Sequence, residues 1–333
     1  MAGFPSRNIV VLAKIENTVG TYTAPSPGTD AVMIGSDVTF RQNVGKLDRD
    51  NLREVMGSAD NLNGFVYDEL TFSTELAGSG TAGTAPAWGT LMRAAGFAQT
   101  VVGTTLVHYT PISEAMESLS VSYFFGGVRR NMRGTRVRRV VLSLGVNSIP
   151  RATWTLIGVP RLSPDNGLTV ASAPSPTLTA WKLPRPVLNE YGAGNVYLGQ
   201  ILNQATGALT GGAEHKSKGM TITIENDCGA RPFLGWGGDN CPIVDRDIKV
   251  ALDFDLDGTQ RADFYAACIA NTYQSLSQAL GGSGFSGNTL KFFMPRAQLM
   301  EPDTKDDAGL LLSGYTLNVL PDAGNDDIFI TAM

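Results

Sequence analysis

Residues 250–257 read Val250-Ala251-Leu252-Asp253-Phe254-Asp255-Leu256-Asp257. Apolar and polar residues alternate strictly, the period of a strand with one face on a core and the other in water. Val250, Leu252, Phe254 and Leu256 face inward, while Asp253, Asp255 and Asp257 form an acidic stripe on the other side. A similar pattern stands earlier, in Phe65-Val66-Tyr67-Asp68-Glu69-Leu70-Thr71-Phe72-Ser73-Thr74-Glu75-Leu76. There Leu70, Phe72 and Leu76 share a face with Asp68 and Thr74, and Glu69, Thr71, Ser73 and Glu75 share the other. Both segments read as half-buried antiparallel strands.

The surroundings repeat too. Asp37-Val38-Thr39-Phe40 and the loop Gly57-Ser58-Ala59-Asp60-Asn61 precede the strand at Asp68. Met220-Thr221-Ile222-Thr223-Ile224 and Gly237-Gly238-Asp239-Asn240 precede a strand at Asp247, with the same spacing from Asp-Asn pair to strand Asp. A helical pattern follows each. Two copies of one mostly-β module are expected, divided as an N-terminal arm (1–30), a first module (31–162), a connector (163–210) and a second module (211–333).

The arm runs from the apolar stretch Ile9 to Ala13 through Gly20-Thr21-Tyr22 and is expected to have little structure of its own. After the Asp68 strand, Thr84 reads as a helix cap with Pro86 in the first turn. Trp88, Leu91, Met92 and Ala95 then fall on one helical face, and Gly96 ends it. Strands are expected at 106–112, 119–125, 136–144 and 152–159. In the connector, Ser163-Pro164-Asp165-Asn166-Gly167, Ala173-Pro174-Ser175-Pro176 and Pro184-Arg185-Pro186 are turn chemistry. Trp181, Tyr191 and Tyr197 indicate a segment packed along a surface. In the second module Thr259 is the expected cap of a helix carrying Phe264, Ala267 and Cys268. Strands near 290–293, 310–320 and 328–331 close it.

The 333 residues are 43% hydrophobic and 17% charged, enough for two cores. The 38 glycines and 17 prolines fit many turns between short strands. A net charge of −5 argues against a protein that grips nucleic acid through its phosphates. Cys228, Cys241 and Cys268 have neither disulfide-framework nor zinc spacing and read as buried or half-buried thiols of a reducing compartment. Met1-Ala2-Gly3-Phe4-Pro5-Ser6-Arg7 lacks the layout of a signal peptide, and no apolar run reaches the ~20 residues that span a bilayer. No membrane partner is expected.

Several stretches imitate chemistry. Gly78-Ser79-Gly80-Thr81-Ala82-Gly83 matches G-x-G-x-x-G, but a dinucleotide site needs a βαβ unit and an acidic residue about 20 positions on. Here antiparallel strands follow and the next acidic residue is Glu114, so the stretch reads as a strand-to-helix loop. Asp253, Asp255, Asp257 and Gly258 resemble the start of a calcium loop, yet the position of the bidentate Glu is Phe264. Arg129, Arg130, Arg133, Arg136, Arg138 and Arg139 form a basic run without interleaved aromatics. Pairing with carboxylates, within the chain or in a neighbouring subunit, suits them better than phosphate binding. His108 and His215 have no partners for a triad or metal site. No catalytic residue, cofactor or metal is expected.

The chain resembles the major tail tube proteins of long-tailed bacteriophages. The resemblance is carried by Leu76-Ala77-Gly78-Ser79-Gly80-Thr81-Ala82-Gly83-Thr84-Ala85-Pro86-Ala87-Trp88-Gly89-Thr90-Leu91-Met92-Arg93-Ala94-Ala95-Gly96-Phe97, a Gly-rich loop leading into a short helix that ends in Gly-Phe. It continues in Val107-His108-Tyr109-Thr110-Pro111-Ile112-Ser113, in Tyr123-Phe124-Phe125-Gly126-Gly127-Val128, in Arg133-Gly134 and in Lys14-Ile15-Glu16 with Gly20-Thr21-Tyr22. It is close over 1–160 and weaker over 211–333; Ala95 stands where Cys is frequent.

The resemblance implies a mainly β fold of two tandem sandwich or barrel tail-tube modules, each flanked by one α-helix. It implies a non-enzymatic virion protein of siphovirus type, assembled in the host bacterial cytoplasm. Six modules, hence three chains, would close a ring whose inner strands form one barrel, and rings would stack into a tube. Implied partners are further copies of the chain, a tape measure protein, terminator and distal tail proteins, and viral double-stranded DNA sliding through unbound. On this view Asp253, Asp255 and Asp257 line the lumen and the six arginines meet neighbouring subunits. The alternatives are another self-assembling ring, such as a terminator or secretion-tube component, and a soluble β-rich binding protein.

Overall fold

A computed structural model describes residues 8–49, 56, 60–161, 168–183, 194–233, 240–281 and 287–333. The loop residues 57–59 and 237–239, the turn 163–167, Tyr191 and the 184–186 stretch lie outside the described residues. In chain order the elements are β1 (Val10–Ile15), β2 (Ala31–Val32), β3 (Thr39–Leu47), β4 (Leu62–Glu75), α1 (Gly89–Ala94), β5 (Phe97–Val102), β6 (Leu106–Pro111), β7 (Leu119–Phe125), β8 (Val128–Gly145), β9 (Arg151–Pro160) and β10 (Leu168–Val170). Then come β11 (Val196–Asn203), β12 (Ala208–Cys228), β13 (Ile243–Asp255), α2 (Gly258–Ile269), β14 (Tyr273–Leu280), β15 (Leu290–Asp307), β16 (Leu310–Leu320) and β17 (Phe329–Ala332). The fold is mainly β, with two short helices among the described residues.

Antiparallel pairing sets two layers. In one, β3, β4, β9, β8, β12, β13, β16 and the end of β15 follow edge to edge. The second layer has two pieces. One runs β2, β1, β7, the start of β8, β10. The other runs from the start of β12 through β11, β14, the start of β15, β17 and β6 to β5. The long strands β8, β12 and β15 serve both layers. Each shifts register along its length, at Arg133/Arg136, Ser217/Met220 and Met300/Asp303. Such bulges add twist and let one strand turn from one sheet into the next.

Between the layers lies one contiguous apolar cluster that includes Leu70, Phe72, Trp154 and Leu142 as well as Ile222, Val250, Phe254 and Leu317. The alternation read from sequence is what fills it. Asp68, Leu70, Phe72, Thr74 and Leu76 are all buried, and so are Val250, Leu252, Phe254 and Leu256. The matching Asp spacing, however, does not put equivalent residues on equivalent faces. Asp68 is fully buried, whereas Asp247 is exposed.

Other local expectations shift for physical reasons. Residues 10–15, expected in an unstructured arm, form β1, paired with β7 from Val10↔Phe124 to Ile15↔Leu119. The Glu16 carboxylate just beyond it, 7% exposed, accepts from Gly20 N, Ser118 Oγ, Ser120 Oγ and Gly134 N at 2.5–3.0 Å. That hub ties the first residues to β7 and β8. In the expected connector, β11 buries Val196 and Leu198. Residues 171–178 pack over Val10, Leu12 and Phe124 through Ala171, Ala173 and Leu178, and Trp181 Nε1 donates to Ala31 O at 2.9 Å. Helix α1 starts at Gly89 after Trp88, not at Thr84, and has no side-chain cap. The expected face is right: Trp88, Leu91, Met92 and Ala95 are buried. Helix α2 is capped by Asp257 rather than Thr259, in a reciprocal capping box with Gln260.

Asp68 is held by Arg130 in a buried bidentate pair, Nε–Oδ2 2.6 Å and Nη2–Oδ1 2.9 Å. Burial pushes the Asp68 carboxyl up and the guanidinium pulls it part of the way back. Removing one partner strands a charge in the core. Asp68→Ala is expected to cost about 3–5 kcal/mol in denaturant unfolding, and Asp68→Leu with Arg130→Met to recover most of that loss.

Candidate assembly surfaces

The bare face of the β3-to-β15 layer mixes Thr, Ser and Asn with scattered charged and apolar side chains, because every second residue of each strand is taken by the core. One cross-strand row runs Thr153, Val141, Thr223, Lys249, Asn318, Gln298. The next runs Arg151, Ser143, Thr221, Ala251, Thr316, Met300. Charges on this face pair locally: Arg139–Glu225 at 3.3 Å, Lys249–Asp247 at 2.8 Å and Lys305–Asp253 at 2.6 Å. These exposed pairs contribute about 0–1 kcal/mol each. Their effect is to neutralise part of the charge on that face locally.

The three expected acidic residues divide on this surface. Asp253 is half-buried and bound to Lys305, and Asp255 is exposed opposite Lys216. Asp257 has left the strand, and its Oδ1 accepts from Gln260 N at 2.8 Å. The six arginines divide as well. Arg130 and Arg136 spend their guanidinium groups inside their own chain, Arg130 on Asp68 and Arg136 Nη2 on Met116 O at 2.8 Å. Arg133 Nη1 donates to Gly20 O at 3.3 Å, and Arg129 is half-buried beside β10. Arg138 and Arg139 are exposed, near Glu69 at 4.0 Å and Glu225. With Asp245, Arg246 and Asp247 they line an open cleft of about 560 Å³ carrying both signs of charge. Such a lining selects neither an anion nor a cation.

The glycine-rich loop is a packing joint. Gly78 N donates to Asn288 Oδ1 and Gly80 N to Gly287 O, both at 2.7 Å. A Cβ on Gly78 would lie 2.2 Å from Gly287 O. The glycines are there so that two backbones can touch. Among the described residues no group of His, Cys, Asp and Glu could hold a metal ion. No helix among the described residues is long and apolar enough to cross a membrane. His108 bridges Thr331 Oγ1 at 2.8 Å and Gln204 O at 2.7 Å, joining β6 to β17 and to the β11–β12 turn. Cys228 and Cys241 are buried free thiols pushed up to about 12 by burial, and Cys268 is half-buried.

The joint between β8 and β12 is reinforced by residues that sequence reasoning missed. Their strands pair from Gly219↔Gly145 to Glu225↔Arg139. Just beyond, Asn226 Nδ2 donates to Ala95 O and Val137 O at 3.0 and 2.8 Å. Arg246 Nη2 donates to Gly96 O and Ile112 O at 3.0 and 3.1 Å, and its guanidinium lies over the Phe97 ring. The end of α1 is thus capped from the other half of the chain. In sequence Asp245-Arg246-Asp247 reads only as a charged surface, and nothing marks Asn226.

Under α2, Phe264 packs on Phe254, Tyr315 and His215 at centroid distances of 5.4, 5.6 and 5.0 Å. His215 Nδ1 has no hydrogen-bond partner among the described residues, and burial lowers its pKa from 6.5. The unfolded chain then takes up this proton more readily than the folded one. Stability is full above about pH 6.5 and is lost as pH falls through the lowered folded value. His215→Phe is expected to remove that part of the acid sensitivity in thermal melts between pH 7 and pH 5. Arg246→Ala, which frees two partly buried carbonyls, is expected to cost about 1–3 kcal/mol by the same measurement, with Arg246→Lys intermediate.

No curated protein matches the chain. A family model described as phage tail tube protein matches residues 6–331, nearly the whole length. A mainly β chain whose β3 and β15 edges are open among the described residues suits a self-assembling structural protein. The chain belongs to the phage tail tube protein family.

Proposed function

We propose that the chain is the tube subunit of a flexible, siphovirus-type tail, polymerising as stacked rings of three chains through which viral DNA passes. The observation that carries this reading is the strand order of the long layer. β3, β4, β9, β8 are followed by β12, β13, β16, β15. Each set is a hairpin, then a helix, then a second hairpin inserted in the same sense. In both the order along the sheet is first, second, fourth, third.

The chain is therefore read as two modules, one from β1 to β10 and one from β11 to β17. Boundaries at 31 and 211 would leave out β1 and β11, which occupy matching places beside β7 and β14. The modules join through β8 and β12. The equivalent partners at the outer ends are β15 and β3. Among the described residues β3 pairs only with β4, and residues 303–307 only with β16. Open edges are a liability in a monomer. Joining β15 of one copy to β3 of the next repeats the internal joint, and three chains restore sixfold pseudosymmetry. This contact is heterologous, so it closes only as a ring.

The bare face then lines the lumen. Short neutral side chains and paired charges offer phosphates nothing to hold, so DNA slides. Asp253 and Asp255 contribute acidic groups to that wall, while Asp257 serves α2. Arg138 and Arg139 lie at the module joint, where the next ring or a neighbouring subunit can reach them. A tape measure protein would fill the lumen during assembly, in the host cytoplasm, and terminator and distal tail proteins would cap the ends.

Electron microscopy of the concentrated protein should show hollow filaments with a stacked-ring repeat. Single closed rings that never stack would point to a terminator, and compact particles at every salt and concentration would count against a tube. Thr221→Lys, Thr223→Lys and Thr316→Lys together should leave tubes intact and slow DNA ejection, because lumen cations bind phosphates. Normal ejection by that variant contradicts the lumen assignment.

A further inference from the structure

We propose that the bare face of α2 docks on β10 of the next copy in the ring; this rests on the ring reading. Ala262, Tyr265, Ala266 and Ile269 recur at helical spacing and are exposed, Tyr265 by 55% and Ile269 by 69%. A soluble helix shows one apolar stripe to a core. Helix α2 already turns Phe264, Ala267 and Cys268 inward, and among the described residues nothing covers this second stripe.

The other helix shows what covers such a stripe. Outside α1 lies the β5–β6 hairpin. Trp88 packs on Tyr109 at 5.1 Å, and Gly89 sits so close that a Cβ would lie 2.1 Å from Tyr109 Oη. The far edge of β6 pairs with β17, from Val107↔Ala332 to Tyr109↔Ile330. There β6 stands between α1, against which Tyr109 packs, and β17, with which it pairs. After α2, by contrast, the chain enters β14 at Tyr273 with no room for a hairpin.

β10 is the counterpart of β17. It pairs with the first residues of β8, at 128–130, as β17 pairs with the first residues of β15, at 290–293. One edge of β17 is filled by β6; the same edge of β10 pairs with nothing among the described residues. Val170 and Leu168 are exposed there by 89% and 48%. Two apolar patches, on α2 and on β10, thus occupy positions that the internal joint brings together through β6. At the joint between copies the hairpin is missing, and α2 of one copy meets β10 of the next directly. The docking is continuous with the proposed β15–β3 sheet joint and shields both patches from water.

Two measurements test it. Tyr265→Glu with Ile269→Glu should leave the monomer folded, with an unchanged circular dichroism spectrum and melting temperature, and abolish filaments on concentration. In a Cys268→Ser background, Ile269→Cys with Val170→Cys should give a disulfide ladder of dimers and trimers when preformed filaments are oxidised with diamide. Neither single cysteine should do so. Filaments that assemble normally from the Glu variant, or cysteine-pair filaments that give no ladder, overturn the docking while the ring reading stands. Failure of the unsubstituted chain to form rings or filaments at all overturns the ring reading, and the docking with it.

Discussion

A β-strand carries a row of backbone donors and acceptors that must find partners, and this chain meets that need internally at one place above all. β8 and β12 pair over seven residues, and through them two four-strand groups become one continuous layer. The joint is sealed on the core side by Val140, Leu142, Ile222 and Ile224, and at its end by Asn226 and Arg246 holding the carbonyls that close α1. Buried hydrogen bonds to charged groups are among the stronger ones in proteins. Among the described residues the same need stays unmet at the free edge of β3 and at the end of β15. The architecture therefore carries one filled joint and two open halves of a second. The self-assembly expected of a tail tube protein needs such open halves.

The proposed conduit role gives the chemistry of the bare face a physical reason. A basic wall would bind the backbone of nucleic acid, with an affinity that grows with each neutralised phosphate. A wall of isolated carboxylates would repel it but would also repel its own neighbours around a ring. Here charges pair locally, Arg139 with Glu225 on the neighbouring strand and Lys305 with Asp253 across β16, among side chains rich in Thr, Ser and Asn. The arginine run, which looks in sequence like a single basic patch, is divided by the bulges of β8 into buried and exposed members.

Several strands were legible from their apolar, β-prone runs. Leu119–Phe125 and Leu310–Leu320 fall where their pattern puts them, and the apolar faces of β4 and β13 are as read. The four apolar residues of α1 were legible too, but not its start, since Thr84 and Pro86 belong to turns that lead up to Trp88. Elements whose partners are remote in sequence were not legible. β1 is a short apolar run until β7 pairs with it, and β5 and β11 have no clear period of their own. The Asp-Asn spacing that pointed to a repeat is out of phase with the buried faces. The four donors around Glu16 come from three separate segments, and no local pattern can announce them.

The most direct measurement is amide hydrogen exchange on the soluble chain and on its filaments. Residues 219–225 in the filled joint should be protected in both states. Residues 39–47 of β3 and 303–307 of β15 should exchange quickly in the soluble chain and become protected in the filament, because their free edges would then pair. Equal, rapid exchange of those two edges in assembled filaments would contradict ring closure through strand pairing.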